Sequence, residues 1–168
     1  MTPAALLLGA VTAERIAELF LARRNTAALL AKGAVEVAPG HYPAIVVMHA
    51  LWLANLWIFG TSRVINPAWL AVFLSLQVLR AWVLMTLGPR WTTRIIILPG
   101  APLVTSGPYR ILSHPNYLIV VGEIAVLPLC LGLHWLALIF SAANAILLWI
   151  RIRAETIALT GPTHVERA

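Results

Sequence analysis

Asn66–Gly88 reads NPAWLAVFLSLQVLRAWVLMTLG, and it decides the fold class. From Pro67 the run holds 22 residues, roughly 33 Å at helical rise, enough to cross a bilayer's hydrocarbon core. It begins as a helix should. The Asn66 side chain can cap the first turn, and Pro67 lacks an N–H that would have no helical partner there anyway. Gln77 and Arg80 interrupt the apolar surface three residues apart, on one face.

Four further apolar stretches flank this one. Upstream, Pro43–Gly60 carries no formal charge, and Pro3–Ala22 is broken by Glu14, Arg15 and Glu18. Downstream, the chain is apolar from Tyr117 almost to Ile150, interrupted by Pro128, Gly132 and His134. This divides into two short helices, Tyr117–Leu131 and Trp135–Ile150, forming a hairpin that tilts or thins the bilayer locally. The expectation is an all-α integral membrane protein, multi-pass, with five transmembrane helices in a single domain over residues 1–168. Composition excludes a soluble fold of this size: 61% of the 168 residues are hydrophobic and 11% charged, against roughly 25% charged in soluble domains. Mean hydropathy is +0.88. The start, Met1-Thr2-Pro3, has no basic leader and is read as part of a retained helix.

Twelve Lys and Arg stand against six Glu, with no Asp. The cations fall between apolar runs, so membrane topology explains them and no nucleic-acid partner is expected. With the N-terminus outside, the inner side receives Arg23, Arg24, Lys32, Arg90, Arg94, Arg110, Arg151, Arg153 and Arg167, and the outer loops only Arg63. The long segment Pro89–Asn116 is therefore expected to be cytoplasmic or to sit at that interface, with the cofactor site on that side. Its apolar piece Arg94–Val104, turned at Pro99-Gly100, is expected to lie over the membrane face. Cys130 is the one cysteine, so neither an intrachain disulfide nor a thiolate metal cluster can form, and no metal is expected.

Charges within spans are costly unless paired or hydrated. Glu14 and Glu18 share one face of the first helix, Gln77 and Arg80 one face of the third, and Glu123 lies two turns into the fourth. Two readings stand: an internal ion-pair network tying helices together, or groups that meet a substrate or carry protons in a small transporter. A non-catalytic scaffold is a third possibility for the chain. His49 and His134 read as packed histidines rather than haem ligands.

Two segments carry chemistry. Gly107-Pro108-Tyr109-Arg110-Ile111-Leu112-Ser113-His114-Pro115-Asn116-Tyr117 is a turn running into a helix start, with Pro115 at the first helical position and free N–H groups that favour an anion. Arg151-Ile152-Arg153-Ala154-Glu155-Thr156-Ile157-Ala158-Leu159 continues the fifth helix, with Arg151 and Glu155 on one face.

These segments, with Glu123 between them, resemble the two-part signature of the isoprenylcysteine carboxyl methyltransferase family, related to the phospholipid methyltransferases. Glu14-Arg15, Arg23-Arg24-Asn25, Glu36 with His41-Tyr42-Pro43, and Leu87–Arg94 extend the resemblance to a short bacterial branch often associated with type III polyketide synthases. The resemblance implies S-adenosylmethionine bound between the last two helices and the preceding loop. His114, Tyr117 and Glu155 would contact the cofactor, Tyr109 and Pro115 would shape its pocket, and Arg151 and Arg153 would be the catalytic residues near the transferred methyl. Ser113 stands where the family commonly has Arg, Thr156 where it has a second Glu, and Ile119 where it often has Gly. The implied activity is methyl transfer to an oxygen of a lipophilic small-molecule substrate, such as a polyketide-derived alkylpyrone. A prenylcysteine or a phospholipid is the alternative acceptor. Membrane lipids are the expected surroundings, in a bacterial inner membrane.

Overall fold

The computed structural model describes residues 1–160; Arg167, counted above among the inner cations, lies outside them. Five α-helices are present among the described residues: α1 (Pro3–Leu30), α2 (Tyr42–Gly60), α3 (Pro67–Leu87), α4 (Pro115–Cys130) and α5 (His134–Thr160). The strands β1 (Val35–Glu36) and β2 (Ile96–Ile97) form one short antiparallel ladder, pairing Val35 with Ile97. Arg94 clasps Glu36 beside it, at 2.9 and 3.0 Å. The start of the Arg94–Val104 piece is thus tied to the segment after α1.

Helix starts follow local chemistry. The Asn66 side chain accepts from Ala68 N and Trp69 N at 3.0 and 3.3 Å, and Thr2 caps α1 through Ala5 N at 3.1 Å. One expected end moves outward. Hydropathy stops at Ala22, but Arg23–Leu30 holds no Gly or Pro, so α1 continues to Leu30. The turn beyond it is closed at Gly33, where φ is +86° and Ala34 N–H reaches back to Leu29 O at 3.1 Å. Past Ile150, α5 runs on through Arg151 and Glu155, as the sequence leads one to expect.

Three helical stretches are long and apolar enough to cross a membrane: Pro39–Gly60, Pro67–Arg90 and His134–Thr156. The other two, α1 and α4, do not meet that measure. In α1 the charges of Glu14, Arg15 and Glu18 interrupt the apolar run, and α4 has 16 residues, about 24 Å of helix. Pro128 does not break α4; it sits inside the last turn, and Gly132 at φ +68° reverses the chain into α5.

α4 is central and packs between α3 and α5. A Cβ on Gly122 would lie 2.9 Å from Leu76 Cδ1, so a larger residue there would have to displace the Leu76 side chain at the α3–α4 contact. The main core joins Leu8, Leu56, Phe73, Ile124, Leu127 and Leu136 from all five helices. A second cluster of Ala22, Val83, Trp91 and Ile119 sits nearer the 88–110 loop. Ile119, which stands in place of the family's glycine, is 3% exposed and fills that cluster. α1 approaches the backbone of α2 and of the 88–90 turn, where buried Asn25 donates to Gly88 O at 3.1 Å and Trp91 O at 2.8 Å.

Candidate functional site

The signature loop is anchored on α3. Gly107 has φ +56°, and a Cβ there would fall 2.5 Å from Thr86 Oγ1, so the turn needs glycine for both conformation and space. The loop that follows places Tyr109 against the second cluster. Burial, reinforced by the nearby charge of Glu155, pushes the Tyr109 phenol up to about 12. His114 then occupies the cap of α4 and Pro115 its first turn, buried.

Tyr117 brings the two signature segments together. Its hydroxyl donates to Glu155 Oε2 at 2.5 Å and accepts from Arg151 Nε at 3.0 Å. The Arg151 guanidinium lies 5.3 Å from the Tyr117 ring centroid and donates through Nη1 to Thr93 O at 2.8 Å. On the other side the His114 and Tyr117 rings stack, centroids 5.1 Å apart and planes 12° apart, with His114 Nδ1 3.9 Å from Glu155 Oε2. Thr93 Oγ1 is 3.1 Å from the Tyr42 hydroxyl, and Arg94 covers the Tyr42 ring at 4.6 Å.

Arg153 is not part of this group. It is exposed and stacks on Trp149 at 4.0 Å, one turn back on the same helix. Ser113 is exposed, and Thr156 Oγ1 bonds to Ile152 O at 2.9 Å.

Beneath Tyr117 and Arg151 a cavity of about 310 Å³ runs between α1, α2, α4 and α5. Its walls are mainly apolar, including Ile45, Leu53, Val120, Leu147 and Leu148. Arg15, Glu18 and Arg80 line it at a deeper level. There Arg80 binds Glu18 through Nε and through Nη2, the latter at 2.8 Å, and Glu123 through Nη1 at 2.6 Å. Arg15 bridges Glu18 at 2.9 Å and Glu123 at 3.1 Å, and Gln77 donates to Glu123 at 2.9 Å. Glu14 stands at the edge, 3.5 Å from Arg15 and 4.0 Å from Arg80. Glu14, Glu18, Arg80 and Glu123 therefore form the internal ion-pair network, and that network is also the floor of the cavity. A second cavity, of about 540 Å³, adjoins the first along Ile16, Leu19, Tyr42, Val46 and Thr93.

Reading the sequence singled out Tyr109, His114, Pro115, Tyr117, Arg151 and Glu155, and the structure brings Tyr117, His114, Arg151 and Glu155 into contact. It missed the wall residues Asn116 and Asn144. Asn144 had a signal: it is an amide within the apolar run of α5, seven residues before Arg151 and so on the same face.

Comparison with known proteins bears on this site. The isoprenylcysteine carboxyl methyltransferase (ICMT) family description matches residues 69–161, from α3 through α5. The chain is 40% identical over 159 residues to the uncharacterized protein YpbQ of Bacillus subtilis (strain 168), covering 92% of this chain and 95% of that one. It is 26% identical over 160 residues to an uncharacterized protein of Haemophilus influenzae, covering 89% of this chain and 91% of that one. No solved structure matches it.

Proposed function

The chain belongs to the isoprenylcysteine carboxyl methyltransferase family, and from that premise we propose that it is a membrane-bound, S-adenosylmethionine-dependent methyltransferase acting on an oxygen of a lipophilic acceptor. The observation that carries this reading is the junction of Tyr117, Arg151 and Glu155 at the mouth of an apolar cavity. The residues present fit the cofactor. Glu155 uses Oε2 on Tyr117 and keeps Oε1 for a ligand hydroxyl or amine. Asn116 Oδ1 is a buried acceptor without a partner, and the His114–Tyr117 stack offers a flat face beside it.

Bound there, S-adenosylmethionine supplies a methyl already activated on a sulfonium, so the protein's share is orientation and charge. Arg151 engages Tyr117 through Nε and Thr93 through Nη1, leaving Nη2 to hydrogen-bond an acceptor oxygen. Its charge lowers the pKa of an enol or phenol placed there and keeps it ionised at neutral pH. An acidic hydroxyl of that kind, as in an alkylpyrone, needs no general base. The preferred acceptor is such an enol, ahead of a prenylcysteine carboxylate or a phospholipid amine. Arg153 serves as an interfacial anchor.

In this reading all five helices cross the bilayer. Pairing with Arg15, Arg80 and Gln77 lets the carboxylates of α1 and α4 reside there. The N-terminus lies outside and the Tyr117 site on the cytoplasmic face of a bacterial inner membrane, as the cation distribution favours. The polar cofactor then arrives from water and the acceptor from lipid.

The test is thermal unfolding of the detergent-purified protein with S-adenosylmethionine, S-adenosylhomocysteine or ATP. A ligand at 100 times its Kd stabilises by about 2.7 kcal/mol. Both sulfur compounds should raise Tm and ATP should not. Glu155→Gln should reduce the shift while leaving the Tm of the free protein unchanged. No shift at millimolar cofactor in folded protein would refute the assignment.

A further inference from the structure

Asn144 is 5% exposed, lines the cavity, and finds no hydrogen-bond partner among the described residues. Its amide carries two N–H donors and a carbonyl acceptor. Buried side chains of this kind are paired in folded proteins unless a water or ligand completes them. Its position in the cavity is specific. Arg151 follows it by seven residues on α5, two turns, or about 10 Å. On α4, Glu123 follows Tyr117 by six residues, about 9 Å. Arg151 bonds Tyr117, which sets one shared level of α4 and α5, and in this antiparallel hairpin Glu123 and Asn144 each lie about two turns below it. Arg15 meets Glu123 at that lower level. Arg15 also lines the cavity and has its Nε buried without a partner. Between the levels the wall is apolar, through Val120, Leu147, Leu148 and Leu53.

A plain alkyl chain threaded down this cavity would exclude water from Asn144 and leave its amide unmet, which selects against such a chain. We propose that the cavity selects an acceptor with a second oxygen function, a carbonyl or hydroxyl on its apolar body about 10 Å from the methylated oxygen, and that Asn144 reads that oxygen. Asn144 is a specificity residue, remote from the reacting atoms. The inference rests on the methyl-transfer reading for the position of the reacting oxygen.

The probes are two 4-hydroxy-2-pyrones with alkyl chains of equal length, one plain and one carrying a ketone about 10 Å from the enol oxygen. Formation of S-adenosylhomocysteine gives kcat/KM for each. The wild type should favour the ketone by about tenfold. Asn144→Leu, close in volume, should abolish or reverse that preference with the Tm shift from S-adenosylmethionine unchanged. Equal kcat/KM for both probes in the wild type overturns the proposal, and so does a preference that survives in Asn144→Leu. The Tm shift produced by each pyrone without cofactor provides the same comparison independently of turnover. Absence of any shift with S-adenosylmethionine would therefore defeat the methyl-transfer reading alone, and equal shifts with the two pyrones would defeat this one.

Discussion

The Tyr117 hydroxyl has two duties that can be separated from its ring. It donates to Glu155 and accepts from Arg151, while the ring stacks on His114 and lies under the Arg151 guanidinium. Tyr117→Phe keeps the ring contacts and removes both hydrogen bonds. We expect the protein to fold, with kcat/KM reduced about tenfold or more, read as S-adenosylhomocysteine formed. Arg151→Lys should be as damaging, because one ammonium cannot meet Tyr117 and Thr93 O in the fork geometry that the guanidinium provides. A Lys variant with full activity would remove Arg151 from the positioning role. At this scale the sequence was informative where motif and helical spacing coincide, as at His114, Tyr117, Arg151 and Glu155. Arg153 shares a motif with Arg151 but is turned through two helical steps to the outer face, against Trp149. Thr93 was invisible as a partner because it acts through its backbone carbonyl, which no side-chain pattern reports.

The loops are fixed to the helices by a few backbone-directed contacts. Asn25 holds the 88–91 turn against α1 through Gly88 O and Trp91 O. Asn25→Ala would strand both carbonyls and should cost about 1–3 kcal/mol in stability, measured by unfolding in detergent. Gly107→Ala would strain the turn at φ +56° and press a methyl on Thr86. Its cost is about 1–2 kcal/mol from conformation alone, and the displaced loop should weaken the Tm shift given by S-adenosylmethionine. Helix positions were legible in the sequence because apolar runs and caps mark them, most clearly at Asn66-Pro67. The end of α1 was not. Hydropathy records where lipid-compatible surface stops, whereas helicity persists through Arg23–Leu30 and the turn closes only at Gly33. The β1–β2 ladder was equally hidden, since two residues a side carry no period.

On the scale of the molecule, the network beneath the cavity joins helices far apart in sequence. Arg80 is the hub, 5% exposed and bound to both Glu18 and Glu123. Arg80→Met should destabilise by about 3–5 kcal/mol because two buried carboxylates are left to share the single counter-charge of Arg15. Adding Glu18→Gln and Glu123→Gln should recover most of that loss; a triple variant no more stable than Arg80→Met would show that charge is not what the hub supplies. The order of synthesis gives this arrangement a further consequence. Helix α1 emerges first, carrying Glu14, Arg15 and Glu18, yet its partner Arg80 is made 62 residues after Glu18 and its partner Glu123 108 residues after Arg15. Until then Arg15 is the one counter-charge for Glu14 and Glu18 on this helix. If α1 crosses the bilayer as proposed, we therefore expect its insertion to be provisional and completed only when later helices arrive. A nascent chain halted before α3 should leave α1 open to protease or to a water-soluble thiol reagent at an introduced cysteine, and a chain carried through α4 should protect it. The cell's quality-control proteases would thus meet an unfinished chain through its first helix.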